Sequence, residues 1–224
     1  MKIIWLGQAG LLFEKEGFKI MIDPYLSNSV EKVNPKNFRR VAVEESFFKI
    51  RPDVMIFTHN HLDHYDPETV KHFICENSNM LVLAPESVWD EVRKNSGNNN
   101  YVLFNRHTSW TENGIRFTAV KAEHSDIASI GMIIEDGTKK YYITGDTLYN
   151  ADIFEDIPND IYALFLPING VGNNMNMTDA ARFAKKVKAQ KTVPIHIGMF
   201  DELTADNFEC ENKVKAEIYK EIEL

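Results

Sequence analysis

Three histidines and two aspartates are crowded into the nine residues Thr58 to Asp66, THNHLDHYD, directly behind the apolar run DVMIF. Histidine is neither a strong strand former nor a preferred turn residue, so local structure gives no reason for this density. Imidazole and carboxylate together suit Zn²⁺, and also Mn²⁺ or Fe²⁺. On an extended segment, residues two apart point the same way, so His59 and His61 can approach one ion together while Asn60 between them points away. Once the chain turns, Asp63 and His64 can face a second ion.

Two ions need more donors than these, and the candidates stand at other strand ends. His124 follows IRFTAVKAE, Asp146 sits in YYITGD, and His196 ends TVPIH. Each lies just past an apolar β run, where a rigid element can hold a ligand and leave one face open. Either histidine alone would read as structural; beside the cluster they read as ligands. Asp23 in MIDPY has two readings: it fixes the tautomer of a ligating histidine through the outer ring nitrogen, or it is a turn aspartate before Pro24. Thr58 and Thr144 could support ligands in the same way. The loop NGVGNNMNM, Asn169 to Met177, lacks the continuation of a dinucleotide loop. It reads as a connection or as a substrate loop from which Asn176 could reach a polar substrate. His72 and His107 read as surface or packing residues.

Elements that position these residues follow from the apolar runs. KIIWL, LLFE and FKIMID read as a meander of strands, and the polar stretch from Asn28 to about Glu45 as an irregular excursion. DVMIF and MLVLA read as buried strands. Each is followed by a helix opened by proline, PETVKHFICEN and PESVWDEVRKN, with SGNNN as a loop. YVLF, IRFTAV, IGMIIE, KYYIT, IYALFLPI and TVPIH complete the β segments. TDAARFAKKVKA reads as an amphipathic helix with Thr178 as its N-cap, and the tail from Thr204 as a weaker, charge-rich helix. Two β-rich halves, each followed by helices, predict an α+β fold, a four-layer αββα sandwich, rather than a doubly wound parallel sheet. No linker divides the chain, so residues 1–224 are expected to form one domain.

Composition limits the partners. The chain has 25 Lys and Arg against 33 Asp and Glu, a formal charge of −8, which argues against a long nucleic acid as partner and favours a small-molecule substrate. No uncharged run is long enough for a membrane span, and MKIIWLGQAGLLFEKEG lacks the pattern of a signal peptide. Cys75 and Cys210, in segments read as helices, are expected to be buried thiols. A reducing, cytoplasmic setting is the expectation, and a homo-oligomer is compatible with the sequence.

THNHLDH, the later lone histidine, the GD turn and the final strand histidine resemble the metallo-β-lactamase superfamily in order and approximate spacing. The resemblance implies the αββα fold, with His59, His61 and His124 on one metal, Asp63, His64 and His196 on the other, and Asp146 bridging both. WLGQAGLLFE, IDPYL, GDTLY and LPINGVGNNMNMTDAARFAKKVKAQKTVPIHIGMF further resemble the branch of L-ascorbate-6-phosphate lactonase and its metal-dependent hydrolase relatives, although this chain is shorter than that lactonase. A binuclear hydrolase of a small anionic cyclic ester, such as a phosphorylated sugar lactone, is therefore expected. Asp63 would be its catalytic residue, orienting water and taking up its proton. A metal-dependent phosphodiesterase is the alternative hydrolase, and a non-catalytic metal-binding protein the alternative outside enzymes. A flavodiiron-like role would favour a carboxylate where this chain has His61.

Overall fold

In a computed structural model, which describes residues 1–76, 79–95 and 97–224, the strands gather into two mixed sheets of six. The first comprises β1 (Lys2–Gly7), β2 (Gly10–Lys15), β3 (Phe18–Ile22), β4 (Val54–Ile56), β5 (Leu81–Ala84) and β6 (Asn100–Leu103), adjacent in chain order. Its first three strands form an antiparallel meander, and from β3 onward the pairing is parallel, with Ile22 opposite Ile56. The second sheet holds β7 (Ser109–Glu112), β8 (Ile115–Lys121), β9 (Ile130–Glu135), β10 (Lys140–Ile143), β11 (Ile161–Pro167) and β12 (Lys191–Ile195). Here β7 to β10 are antiparallel, whereas β10, β11 and β12 are parallel.

Alternation along the strands assigns the layers. Ile20 and Ile22, Val54 and Ile56, and Leu81 and Leu83 belong to the core shared with the second sheet. The residues between them, Met21, Met55 and Val82, join Val70, Phe73 and Ile74 of the helix Pro67–Glu76 and Val88 and Val92 of the helix Glu86–Val92. The central strands are therefore apolar on both faces, as parallel strands covered by helices must be. Among the helices α1 (Ser29–Val33), α2 (Pro67–Glu76), α3 (Glu86–Val92) and α4 (Met177–Val187), the last packs on the outer face of the second sheet through Phe183, 6.2 Å from Tyr142. The order helix, sheet, sheet, helix is the αββα sandwich expected from the sequence. Among the described residues, no helix is long and apolar enough to cross a membrane.

Several local expectations are corrected. The tail from Thr204 is not a helix but an extended strap. Its backbone bonds Thr192 on β12 through Asn212 and Val214, then Trp5 and Ile3 on β1 through Tyr219 and Ile222. Unpaired groups on two edge strands outweigh the weak helix propensity of this segment. Helix α4 is capped by Asn176, not Thr178: the Asn176 side chain accepts from Asp179 N at 2.9 Å. Pro85 stands at the N-cap of α3 rather than in its first turn. The excursion after Asn28 contains α1 and a 3-10 turn at Glu45–Lys49. Strand β7, SWTE, went unexpected because a wholly exposed edge strand shows no apolar alternation. Cys75 is exposed on α2 and Cys210 is half-buried in the strap, so neither is a core thiol. Asn77 of the expected helix PETVKHFICEN and Ser96 of the SGNNN loop lie outside the described residues.

Phe165 on β11 meets Phe13 on β2 edge-on across the sandwich at 5.8 Å and is fully buried. Truncating a buried phenylalanine removes its transfer free energy and leaves a cavity. Phe165→Ala should therefore cost about 3–5 kcal/mol in urea unfolding, and a loss below about 1 kcal/mol would contradict face-to-face packing of the sheets here.

Candidate metal centre

Within each sheet the strands that bear site residues run the same way, and they deliver those residues at one edge of the sandwich. Asp23 follows β3, the histidine-rich loop follows β4, His124 follows β8, Asp146 follows β10, Asn169 follows β11 and His196 follows β12. The turn from β1 to β2 brings Gln8 to the same edge. The two sheets touch there: Ile130 N donates to Thr58 O at 3.0 Å. A Cβ on Gly145, whose φ is +61°, would lie 3.1 Å from the Thr58 Cβ. Glycine before Asp146 thus satisfies both the left-handed turn and the close approach.

The parallel register of β3 and β4 sets Asp23 beside Thr58. Asp23 Oδ1 accepts from Thr58 N at 2.8 Å and Oδ2 from Thr58 Oγ1 at 2.5 Å. Having given its only proton to Asp23, the Thr58 hydroxyl must accept from His59 Nδ1, 3.0 Å away. Asp23 Oδ2 also accepts from His64 Nδ1 at 2.8 Å. Both rings therefore turn Nε2 into the centre. The two readings of Asp23 merge, since it is a turn residue before Pro24 whose carboxylate holds His64 directly and His59 through Thr58.

The other rings are held in the same manner. His61 Nε2 lies 3.3 Å from Ser125 Oγ and leaves Nδ1 inward, 3.1 Å from His124 Nε2. His124 Nδ1 donates to Asn173 O at 3.2 Å. His196 Nδ1 lies 3.1 Å from the carboxamide of Asn169. The near atom is Nδ2 while Oδ1 has no partner, and exchanging the two ends of the amide would let Oδ1 accept the Nδ1 proton and free Nε2. Asn174 Nδ2 donates to Asp146 Oδ2 at 2.8 Å, and Gln8 Nε2 to Asp63 Oδ2 at 2.9 Å.

All seven residues expected from the sequence as ligands come together. Donor atoms of His59, His61 and His124 lie within 4.8 Å of one another, as do those of Asp63, His64 and His196, and those of His59, His64 and Asp146. His59 and His64 are fully buried, whereas His61, Asp63 and His124 are half-buried and form the open side. Asn176, expected at the substrate, is instead spent on capping α4, and the asparagines that reach the centre from its loop are Asn169, Asn173 and Asn174. Asp66, the last residue of THNHLDHYD, caps α2 through Thr69 and Glu68. Gln8, Ser125, Asn169 and Asn174 were missed because a lone polar side chain carries no spacing signal, although Ser125 directly follows the candidate ligand His124 and Gln8 and Asn169 stand just past strand ends.

Electrostatics fit a bound cation. Burial penalises the Asp146 carboxylate, yet His196 and His64 hold its pKa well below the usual range, and the same two rings depress Asp63. Against burial, Asp146, Asp63 and Asp23 raise His64 well above an ordinary imidazole, and Asp146 with Asp63 pushes His196 up to about 10. Burial and the neighbouring His64 instead push His59 well below its usual value, so that its ring is neutral. Among the described residues, Asp23, Asp63 and Asp146 pair only with histidines. His59 Nε2 and Asp146 Oδ1 are buried without a hydrogen-bond partner. A cation between these donors would satisfy both orphaned atoms and replace the protons that the carboxylates otherwise hold on the rings.

An αββα sandwich with histidine and aspartate donors along one edge defines a metallo-β-lactamase fold. A family model described as "Beta-lactamase superfamily domain" matches residues 19–197, and the chain belongs to that family. A "UPF0173 metal-dependent hydrolase" of Aeropyrum pernix is 26% identical over 231 residues, spanning 96% of this chain and 89% of its own. Another, of Methanobrevibacter smithii, is 28% identical over 222 residues, spanning 92% and 85%. Among solved structures, isothiocyanate hydrolase from Delia radicum gut bacteria superposes with a TM-score of 0.78 at 17% identity, covering 100% of this chain and 99% of its own. Igni18, a metallo hydrolase from Ignicoccus hospitalis, does so with a TM-score of 0.70 at 20% identity, covering 88% and 82%. At such identities the two structures share the fold.

Asp23→Asn removes the anionic acceptor behind His64 and, through Thr58, His59. Affinity for Zn²⁺, read by competition with a chromophoric chelator, should fall about 10–100-fold with circular dichroism unchanged. Unaltered affinity would show that Asp23 does not tune the ligands.

Proposed function

We propose that the chain, a metal-dependent hydrolase of the metallo-β-lactamase superfamily, works with two divalent ions and opens a small anionic cyclic ester. A phosphorylated sugar lactone is the substrate that the lactonase-like motifs favour, and residues 1–224 act as one domain around the site. The observation that carries this reading is the pair of donor triads, His59, His61, His124 and Asp63, His64, His196, with Asp146 beside His59 and His64 and an orphaned lone pair aimed inward. Zn²⁺ suits these nitrogens and carboxylates, as do Mn²⁺ and Fe²⁺. Ions held there would acidify a shared water and polarise the acyl carbonyl.

The protein's own groups supply orientation and proton movement. Asp63 lies on the open side with Oδ2 fixed by Gln8, so its carboxylate can orient the attacking water and take up its proton as the bond to the acyl carbon forms. The ring C–O bond then breaks, the leaving oxygen takes a proton, and a hydroxy acid results. Asp23, Thr58, Ser125, Asn169 and the Asn173 carbonyl keep the imidazoles turned inward. Seven donors with two carboxylates leave a centre holding two divalent ions net positive, which supports an anionic substrate.

Purified protein loaded with Zn²⁺ or Mn²⁺ should turn over lactones in a panel that also contains a bis-phosphodiester and simple esters. Asp63→Asn should lower kcat by about 10²–10⁴-fold. Turnover of the phosphodiester alone would make the chain a phosphodiesterase, no turnover of any substrate would favour a binding protein, and less than about one ion per chain at saturating metal would end the metal-dependent reading.

A further inference from the structure

Gln8 occupies an unusual place. It stands in the turn between β1 and β2 at a φ of +48°, a left-handed conformation that glycine adopts far more readily. Glycines flank this turn at Gly7 and Gly10, yet the left-handed position between them holds a long amide that is 2% exposed. The side chain explains the choice. Nε2 donates to Asp63 Oδ2 at 2.9 Å and lies 3.4 and 3.5 Å from the two ring nitrogens of His196. The Gln8 carbonyl accepts from His196 N at 3.0 Å and from the indole of Trp5, a core residue, at 2.9 Å.

One residue therefore ties two members of the Asp63, His64, His196 triad to the core and to each other. Among the described residues, its hydrogen bonds reach no member of the His59, His61, His124 triad. We infer that Gln8 is a positioning residue that sets the affinity of the Asp63, His64, His196 half for its ion, an inference that rests on the two-ion reading above. A carboxylate oxygen has two acceptor directions, and the amide hydrogen on Oδ2 takes one and fixes the rotation in which the other faces the centre. The amide is neutral, so unlike a lysine or arginine at this place it holds the carboxylate without repelling a cation. Its carbonyl fixes where the His196 backbone enters the site, and so the spacing of the two ligands.

The test is calorimetric titration of metal-free protein with Zn²⁺, comparing wild type with Gln8→Gly and Gln8→Met. Glycine suits the left-handed backbone, whereas methionine keeps the length of the side chain and loses the donor. Each variant should bind the second ion about 10–100-fold more weakly while the first stays within about threefold. The melting temperature of metal-free Gln8→Gly should stay within a few degrees of wild type, because relief of the strained backbone offsets the lost hydrogen bond. Equal weakening of both ions, or a second ion unmoved in both variants, would overturn the role of Gln8. A wild type that binds one ion only would overturn the two-ion reading and this inference with it.

Discussion

The Asp23 carboxylate is the fixed point of the centre. An isolated buried carboxylate costs several kcal/mol, so it must find donors. The donors available to Asp23 are the Thr58 amide, the Thr58 hydroxyl and the His64 ring. Satisfying one anion thus decides which nitrogen of His59 and of His64 faces the centre, and Nε2 is the atom each ring would offer a metal ion. The arrangement depends in turn on backbone register: Ile22 opposite Ile56 in parallel strands carries Asp23 alongside Thr58, with Asp23 N bonded to Ile56 O at 3.0 Å. A slip of one residue between β3 and β4 would remove the acceptor and misdirect both rings.

The two halves of the centre differ in electrical character. The His59, His61, His124 half is built from three rings, with burial keeping His59 and His124 below their usual pKa. The other half gathers carboxylates about His64 and His196, whose raised pKa values reflect negative charge that, among the described residues, no lysine or arginine pairs with. Neutral nitrogens offer lone pairs without the attraction of an anion. Carboxylates offer that attraction but must first release protons from the rings beside them, so an ion bound there would be the more strongly linked to proton release.

Legibility in the sequence followed the same physics. Apolar runs ending in histidine or aspartate were readable, since a strand buried on both faces has a composition of its own, and the candidate ligands stand at its end. The αββα order followed from those runs. The strap beyond Thr204 was not readable, because its conformation comes from edge strands far away in sequence, at β1 and β12. In NGVGNNMNM the loop was recognisable but its members were not: Asn176 caps α4, while Asn169 and Asn174 hold His196 and Asp146. An asparagine in such a loop can cap a helix or support a ligand, and only the position of the helix start decides which.

Backbone strain marks the same edge. Non-glycine residues with positive φ occur at Glu16 and Asn113 in hairpin turns and at Lys188 as the C-cap of α4, where a left-handed residue is ordinary. Gln8, which also lies in a hairpin turn, and Asp23, Asn173 and His196 all border the centre, at φ of +48°, +41°, +64° and +63°; positive φ occurs elsewhere too, at Asn79, His107 and Tyr219. Conformations of this kind cost on the order of 1–3 kcal/mol each and persist only where surrounding structure over-determines them. Here the determination is visible: Gln8 O holds His196 N, Ile56 O holds Asp23 N, and Asn173 O holds the His124 ring. Each strained residue exposes a carbonyl, amide or side chain to a ligand that regular strand geometry would have turned away. At this edge, where two sheets must each end their strands against the other, the strain is therefore part of how the donors converge.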